Sequence, residues 1–242
     1  SSATWRHVGS GYPFLALRLE DYDTPEVRAN PPEGWHPNGG KYFSTEQWDG
    51  YWAERRELMD FIAAECVENV IITSGHTHIW FECGIRPDYD LLPDEDGNGG
   101  SPVVAREYTC GSLTAGPDVR EQFFPGLPKE EAEAGVRSLE EAFLGANPHV
   151  GYIDLLNQGY GIVTMTPSET TVDFRVIDTF DIDAVATTKQ SYRVAAGGLP
   201  GGICVDVPPT PTTTVPDPVT APSSPGAATP ANAVPGRVTY TG

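Results

Sequence analysis

From about Val205 to Pro235 the chain reads VDVPPTPTTTVPDPVTAPSSPGAATPANAVP. Proline, threonine, serine and alanine dominate, and large apolar side chains are almost absent. Such a stretch cannot bury enough surface to offset the entropy of ordering it. It is expected to form an extended spacer of polyproline character, of the kind that joins modules in secreted proteins. That bounds everything else: residues 1–204 form the globular part, 205–236 the linker, and 237–242 alternate like the first strand of a further module.

Within the globular part the periodicity predicts mixed α/β structure. STEQWDGYWAERRELMDFIAAECV reads as a helix, with Ser44 and Gln47 at capping-box spacing. Trp48, Tyr51, Trp52, Leu58, Met59, Ile62 and Ala63 fall mainly on one of its faces. NVIIT, IWFECGI and VVAREYTC are short, buried strands by their β-branched and aromatic content. PKEEAEAGVRSLEEAFLGAN opens on proline and acidic residues and reads as a surface helix, its charges forming a solvated face. YIDLL, GYGIVTMT, TTVDFRVID and SYRVAAG then look like consecutive antiparallel strands, with turns at NQG and PSE. No internal repeat is present.

A formal charge of −19 opposes binding to nucleic acid or to anionic lipid surfaces, because either partner must be met by basic groups. No apolar run reaches the length of a membrane span, and nothing resembles a signal peptide. The chain starts at Ser1, which reads as a processed product or a piece of a longer polypeptide. Cys66, Cys83, Cys110 and Cys204 form no CxxC pair, which argues against a structural zinc site. Their even number fits two disulfides in an oxidising compartment, and with the linker points to an extracellular or periplasmic protein; four buried thiols are the alternative.

The chemistry concentrates in IITSGHTHIW, residues 71–80. His76 and His78 lie one residue apart where an apolar strand stops. In extended backbone they would project to the same side. Gly75 would let the chain turn tightly against a ligand. Neutral imidazole suits iron, zinc or manganese, and strand ends are where α/β folds place their sites. Two ligands alone cannot hold a catalytic metal, and two turn histidines without metal are the competing reading.

The wider context resembles a known family. QWDGYWAERRELMDFIAAECVENVIITSGHTHIW is similar to the alkaline phosphatase D (PhoD-like) branch of the calcineurin-like metallophosphatases. There a Trp-Asp-Gly-Tyr helix start, an arginine-bearing helix, an apolar strand and a Gly-x-x-His motif follow in that order. SATWRHVGSGYPF resembles the family's Ala-Thr-Trp strand, and NPHVGYIDLLNQGYGIVTMTPSETTVDFRVID its closing strands. The resemblance runs from residue 2 to about 179.

It implies the C-terminal part of a two-layer β-sandwich flanked by helices. His76 and His78 would be ligands of a two-metal centre of divalent or trivalent ions (iron, zinc, manganese or calcium). These would generate an attacking hydroxide near neutral pH for hydrolysis of a phosphate mono- or diester, phospholipase D-like chemistry included. Three departures accompany the resemblance. The branch usually carries aspartate at the place of His76. Ser10-Gly11 stands where the superfamily has a histidine or asparagine ligand, with His7 too early. The motifs carrying the other ligands should precede Ser1, so the expected partner is the N-terminal half of the same domain, associated after cleavage or encoded upstream.

Asp94, Asp96 and Asn98 in DEDGNGG take positions one, three and five of a calcium loop, but Ala105 replaces the glutamate of an EF-hand. A looser calcium loop or an acidic surface turn are the two readings. His149 reads as a cavity residue or a hydrogen-bonded structural histidine, Trp48 and Trp52 as core, and Trp80 as core or as a border of the substrate cleft. The competing functional class is a non-catalytic secreted scaffold that retains the fold.

Overall fold

The β-branched run Val70-Ile71-Ile72 lies between two hydrophobic cores because it is apolar on both faces, as a strand covered on both sides must be. In the computed structural model, residues 3–18, 29–30, 43–89, 100–114, 119–179 and 181–198 are described. The strands are β1 (Arg6–Gly9), β2 (Val70–Ser74), β3 (Trp80–Ile85), β4 (Ala105–Thr109), β5 (Val150–Asp154), β6 (Gly159–Met165), β7 (Glu169–Val176) and β8 (Thr187–Ala195). Among the described residues the α-helices are α1 (Trp52–Ala64), α2 (Val119–Phe123) and α3 (Lys129–Ala146).

A five-stranded sheet has the order β1-β2-β4-β3-β5, and a three-stranded sheet the order β6-β7-β8. β1, β2 and β4 run parallel, whereas β3 is antiparallel to both β4 and β5. The C-terminal ends of β1, β2, β4 and β5 therefore meet along one rim. β5, expected to begin the antiparallel run, instead pairs with β3. Only β6, β7 and β8 form the consecutive antiparallel strands.

Alternation along each strand sorts side chains onto the two faces of the larger sheet. Val70, Ile72, Phe81, Cys83 and Ile85 face a core shared with Met59 of α1 and Val136 and Phe143 of α3. Ile71, Trp80 and Tyr108 face the other way and pack with Val172, Phe174 and Val194 of the three-stranded sheet. This second core is aromatic: Phe174 lies 4.8 Å from Trp80 and 5.4 Å from Tyr192, centroid to centroid.

Beneath the sheet, Phe14–Arg18 is buried without being part of a regular strand ladder. Its backbone groups are met by side chains instead, as burial demands. The amides of Phe14 and Leu15 donate to the Glu107 carboxylate at 2.9 and 2.8 Å. Leu17 donates to Asp49 and Arg18 to Asn147. The carbonyls of Phe14, Ala16 and Arg18 accept from Arg55, His149 and Asn147.

The Trp-Asp-Gly-Tyr start is a 3₁₀ turn, Trp48–Tyr51, followed by α1. No capping box forms: Ser44 Oγ accepts from the Glu46 amide, and Gln47 makes no side-chain cap. The expected face is borne out at Met59, which is buried, and at Trp48, Ile62 and Ala63, which pack against the helix-side core. Arg55 and Met59 point inward, while Tyr51, Trp52 and Leu58 are 57, 50 and 43% exposed. Arg55 is on the buried side because it forms a buried ion pair with Asp49 at 2.6 Å. At Gly50 a Cβ would overlap the Thr45 carbonyl, which explains the glycine.

Cys83 and Cys110 are free thiols, which rules out the two-disulfide framework. Cys83 is packed into the helix-side core and Cys110 against the core between the sheets. At most one bridge can form, and it would use Cys66. The linker 205–236, residues 237–242 and the calcium-loop candidates Asp94, Asp96 and Asn98 lie outside the described residues. No described helix is long and apolar enough to cross a membrane.

Candidate functional site

β2 ends on the rim at Ser74, whose hydroxyl donates to Glu107 at 2.6 Å and lies 2.8 Å from Thr109 Oγ1. This anchors the turn that follows. Glu107 is fully buried, and burial raises its pKa, opposed by the hydrogen bonds from Ser74, Phe14 and Leu15. The Cys110 amide then donates to the Ser74 carbonyl, tying the end of β4 to the same point.

Beyond that anchor the chain leaves extended geometry. The Thr77 amide closes a tight turn on the Gly75 carbonyl at 2.9 Å. His76 and His78 both adopt left-handed backbone, with φ of 71° and 59°. The expected extended i, i+2 arrangement is therefore replaced by a bend in which the histidines, not Gly75, take the strained conformations. For a non-glycine residue each costs about 1–2 kcal/mol, and such strain concentrates at functional positions. Both imidazoles are exposed, unlike the core on either side of them.

The two rings have different surroundings. His76 packs against Tyr12 with centroids 4.3 Å apart. Tyr12 belongs to the segment after β1, the parallel neighbour of β2, so both reach the same rim. His78 lines a cleft of about 810 Å³ that His76 does not line. Thr77 and Asn157 also border this cleft, whose far wall is α3 and the start of β8. Trp80 is core, with its indole donating to the Asn157 carbonyl at 2.7 Å. A second cavity, of about 430 Å³, lies between Ser10-Gly11 at the end of β1 and Cys110 and Gly161.

Other sequence candidates resolve structurally. His7 sits on β1, bonded to Thr73 Oγ1 at 2.8 Å, and Ser10 Oγ donates to the Tyr12 carbonyl. His149 is buried against Tyr89 and bonded to the Ala16 carbonyl at 2.6 Å; desolvation pushes its pKa down to about 3. Tyr12 was not legible as a site residue. Only the parallel pairing of β1 and β2 brings it to His76.

Among the described residues no group of three or more His, Cys, Asp or Glu side chains could hold a metal ion. His76 and His78 thus supply donors of the right chemistry but fewer than a catalytic metal needs.

A family profile described as PhoD-like phosphatase matches residues 1–174, from before β1 to most of β7. The chain belongs to the PhoD-like phosphatase family. Alkaline phosphatase D of Bacillus subtilis (strain 168) is 24% identical to it over 151 residues, covering 62% of this chain and 22% of that protein. A solved structure of PhoD is similar in fold, with a TM-score of 0.59 at 20% identity, over 82% of this chain and 31% of that one. The chain thus spans between 22 and 31% of the length of these relatives. In this PhoD-like chain the matched region contains the whole rim, including Tyr12, His76 and His78, while β8 lies beyond it.

Proposed function

We propose that the chain is the C-terminal part of a metal-dependent phosphoesterase, the remainder of whose active site comes from an N-terminal part of the same domain. In this reading the five- and three-stranded sheets are the C-terminal portion of a two-layer sandwich. His76 and His78 would hold metal, and the bound cations would activate water and offset the charge of the phosphate ester. Tyr12 packs on the His76 ring. Glu107, through Ser74, holds the root of the turn. The observation that carries the proposal is the pair of exposed, left-handed histidines at the end of a buried parallel strand, inside the region matched by the family. Export, and a single disulfide through Cys66, belong to the same proposal.

Full-length protein, upstream part included, tests it. Elemental analysis should find near-stoichiometric iron, zinc, manganese or calcium. His78→Ala should remove most hydrolysis of p-nitrophenyl phosphate and of bis(p-nitrophenyl) phosphate while the circular dichroism spectrum is unchanged. Turnover that survives this substitution, or that survives complete removal of metal, refutes the assignment. Protein that folds without metal and hydrolyses neither ester is the non-catalytic scaffold.

A further inference from the structure

The chain has 15 basic against 34 acidic side chains, so most of its surface repels anions. The cleft that begins at His78 reverses this balance. Among the described residues its lining contains four cations, Arg120, Lys129, Arg137 and Lys189, against two carboxylates, Glu133 and Asp178. They come from three elements. Lys129, Glu133 and Arg137 follow one another at four-residue spacing along one face of α3, Arg120 lies on α2, and Lys189 on β8.

Glu133 organises the cationic wall. Its carboxylate lies 2.8 Å from Arg120, 3.4 Å from Arg137 and 4.0 Å from Lys129. One anion thus draws three cations together, and Glu140, further along α3, also attracts Arg137 and Lys189. The Lys129 and Arg137 side chains are 72 and 61% exposed, so both can reach a ligand in the cleft. Concave walls carrying one sign of charge concentrate the field between them, and arginine and lysine are the side chains that bind phosphate.

We propose that this cleft is an anion subsite that takes a second phosphate of the substrate, beyond the ester group presented to the histidine turn. The inference rests on the phosphoesterase reading and deepens it: the preferred substrate class carries more than one phosphate. Lys189 stands beyond the residues that the family profile matches, whereas Arg120, Lys129 and Arg137 lie within them.

Calorimetric titration of full-length, metal-stripped protein with inorganic tripolyphosphate at low ionic strength tests the subsite without any turnover. Saturable binding is expected, weakening as salt is raised. The triple variant Lys129→Gln/Arg137→Gln/Lys189→Gln, all at exposed positions, should lose about tenfold or more in affinity, because three charged contacts go. Arg193→Gln, which removes one positive charge elsewhere on β8, should leave affinity within about twofold if the binding is local. Wild-type protein that does not bind tripolyphosphate, a triple variant that binds as wild type does, or an Arg193→Gln protein weakened as much as the triple variant overturns the subsite. Kinetics add a second readout: the triple variant should lose more kcat/KM on a bis-phosphate ester than on a simple monoester. Complete absence of ester hydrolysis would defeat the phosphoesterase reading while leaving the titration to decide the subsite.

Discussion

Two irregular segments leave neighbouring parallel strands at the same rim, and they are built in opposite ways. Phe14–Arg18, downstream of β1, is buried, and side chains of Glu107, Asp49, Arg55, Asn147 and His149 meet its backbone. The turn after β2 is exposed, and two of its residues hold strained left-handed conformations. Polar residues under the sheet are therefore committed to the backbone, and their chemistry is spent within the fold. Those at His76 and His78 are left facing solvent. The contrast separates structural from reactive groups in a chain where both kinds sit within a few residues of family motifs.

The contrast breaks most visibly at Asp49. Asp49→Ala strands the buried Arg55 guanidinium and the Leu17 amide, and should cost about 4 kcal/mol in chemical denaturation, the range for breaking a buried pair. A loss below about 1 kcal/mol would mean that the ion pair is solvated on unfolding-relevant timescales. Glu107→Ala removes the acceptor of four buried donors, the Cys83 thiol among them, and should cost about 3 kcal/mol. Because Ser74 loses its anchor too, amide exchange at Gly75–His78 should accelerate in this variant.

His149 sharpens the comparison through pH. Its folded pKa is about 3, depressed by burial, against about 6.5 when unfolded. Below pH 6.5 the unfolded chain takes up a proton that the folded chain refuses. The group's contribution is therefore present above pH 6.5 and lost as pH falls toward 3, by about 1.4 kcal/mol per pH unit. His149→Gln should flatten the stability profile by that slope in this window. Asp49 and Glu107, raised by burial, contribute with the opposite sign but are common to both proteins and cancel in the difference. Superimposable profiles would disprove the account. The smallest effect is expected at the exposed turn. His78→Gly relieves left-handed strain but loosens the unfolded chain, for a net gain of about 0.5 kcal/mol, read as a small rise in Tm.

Much of this was legible in the sequence where periodicity is strong. β2, β3, β4, α3 and β6–β8 follow from runs of alternating or β-branched residues, and the Trp-Asp-Gly-Tyr and Gly-His-x-His blocks indicated the family. The failures have a common cause. The helix face was legible at Trp48, Met59, Ile62 and Ala63 but not at Arg55, which is buried by its pairing with Asp49, and no hydropathy pattern shows an arginine turning inward. β5 was misplaced because strand partners depend on long-range pairing that local alternation does not encode. The histidines' left-handed backbone was hidden behind Gly75, the residue type that ordinarily adopts such angles. Tyr12 was missed because its link to His76 exists only once β1 lies beside β2.

The glycine of the Trp-Asp-Gly-Tyr turn has a further consequence. At Gly50 two stretches of main chain cross so closely that a hydrogen is the largest substituent the crossing admits. Any bulkier residue would act as a wedge, with Asp49 at the end of the lever and Leu17 beyond it. A substitution at this solvent-exposed position would thus push on Asp49 and, through its bond from the Leu17 amide, on the buried segment behind it.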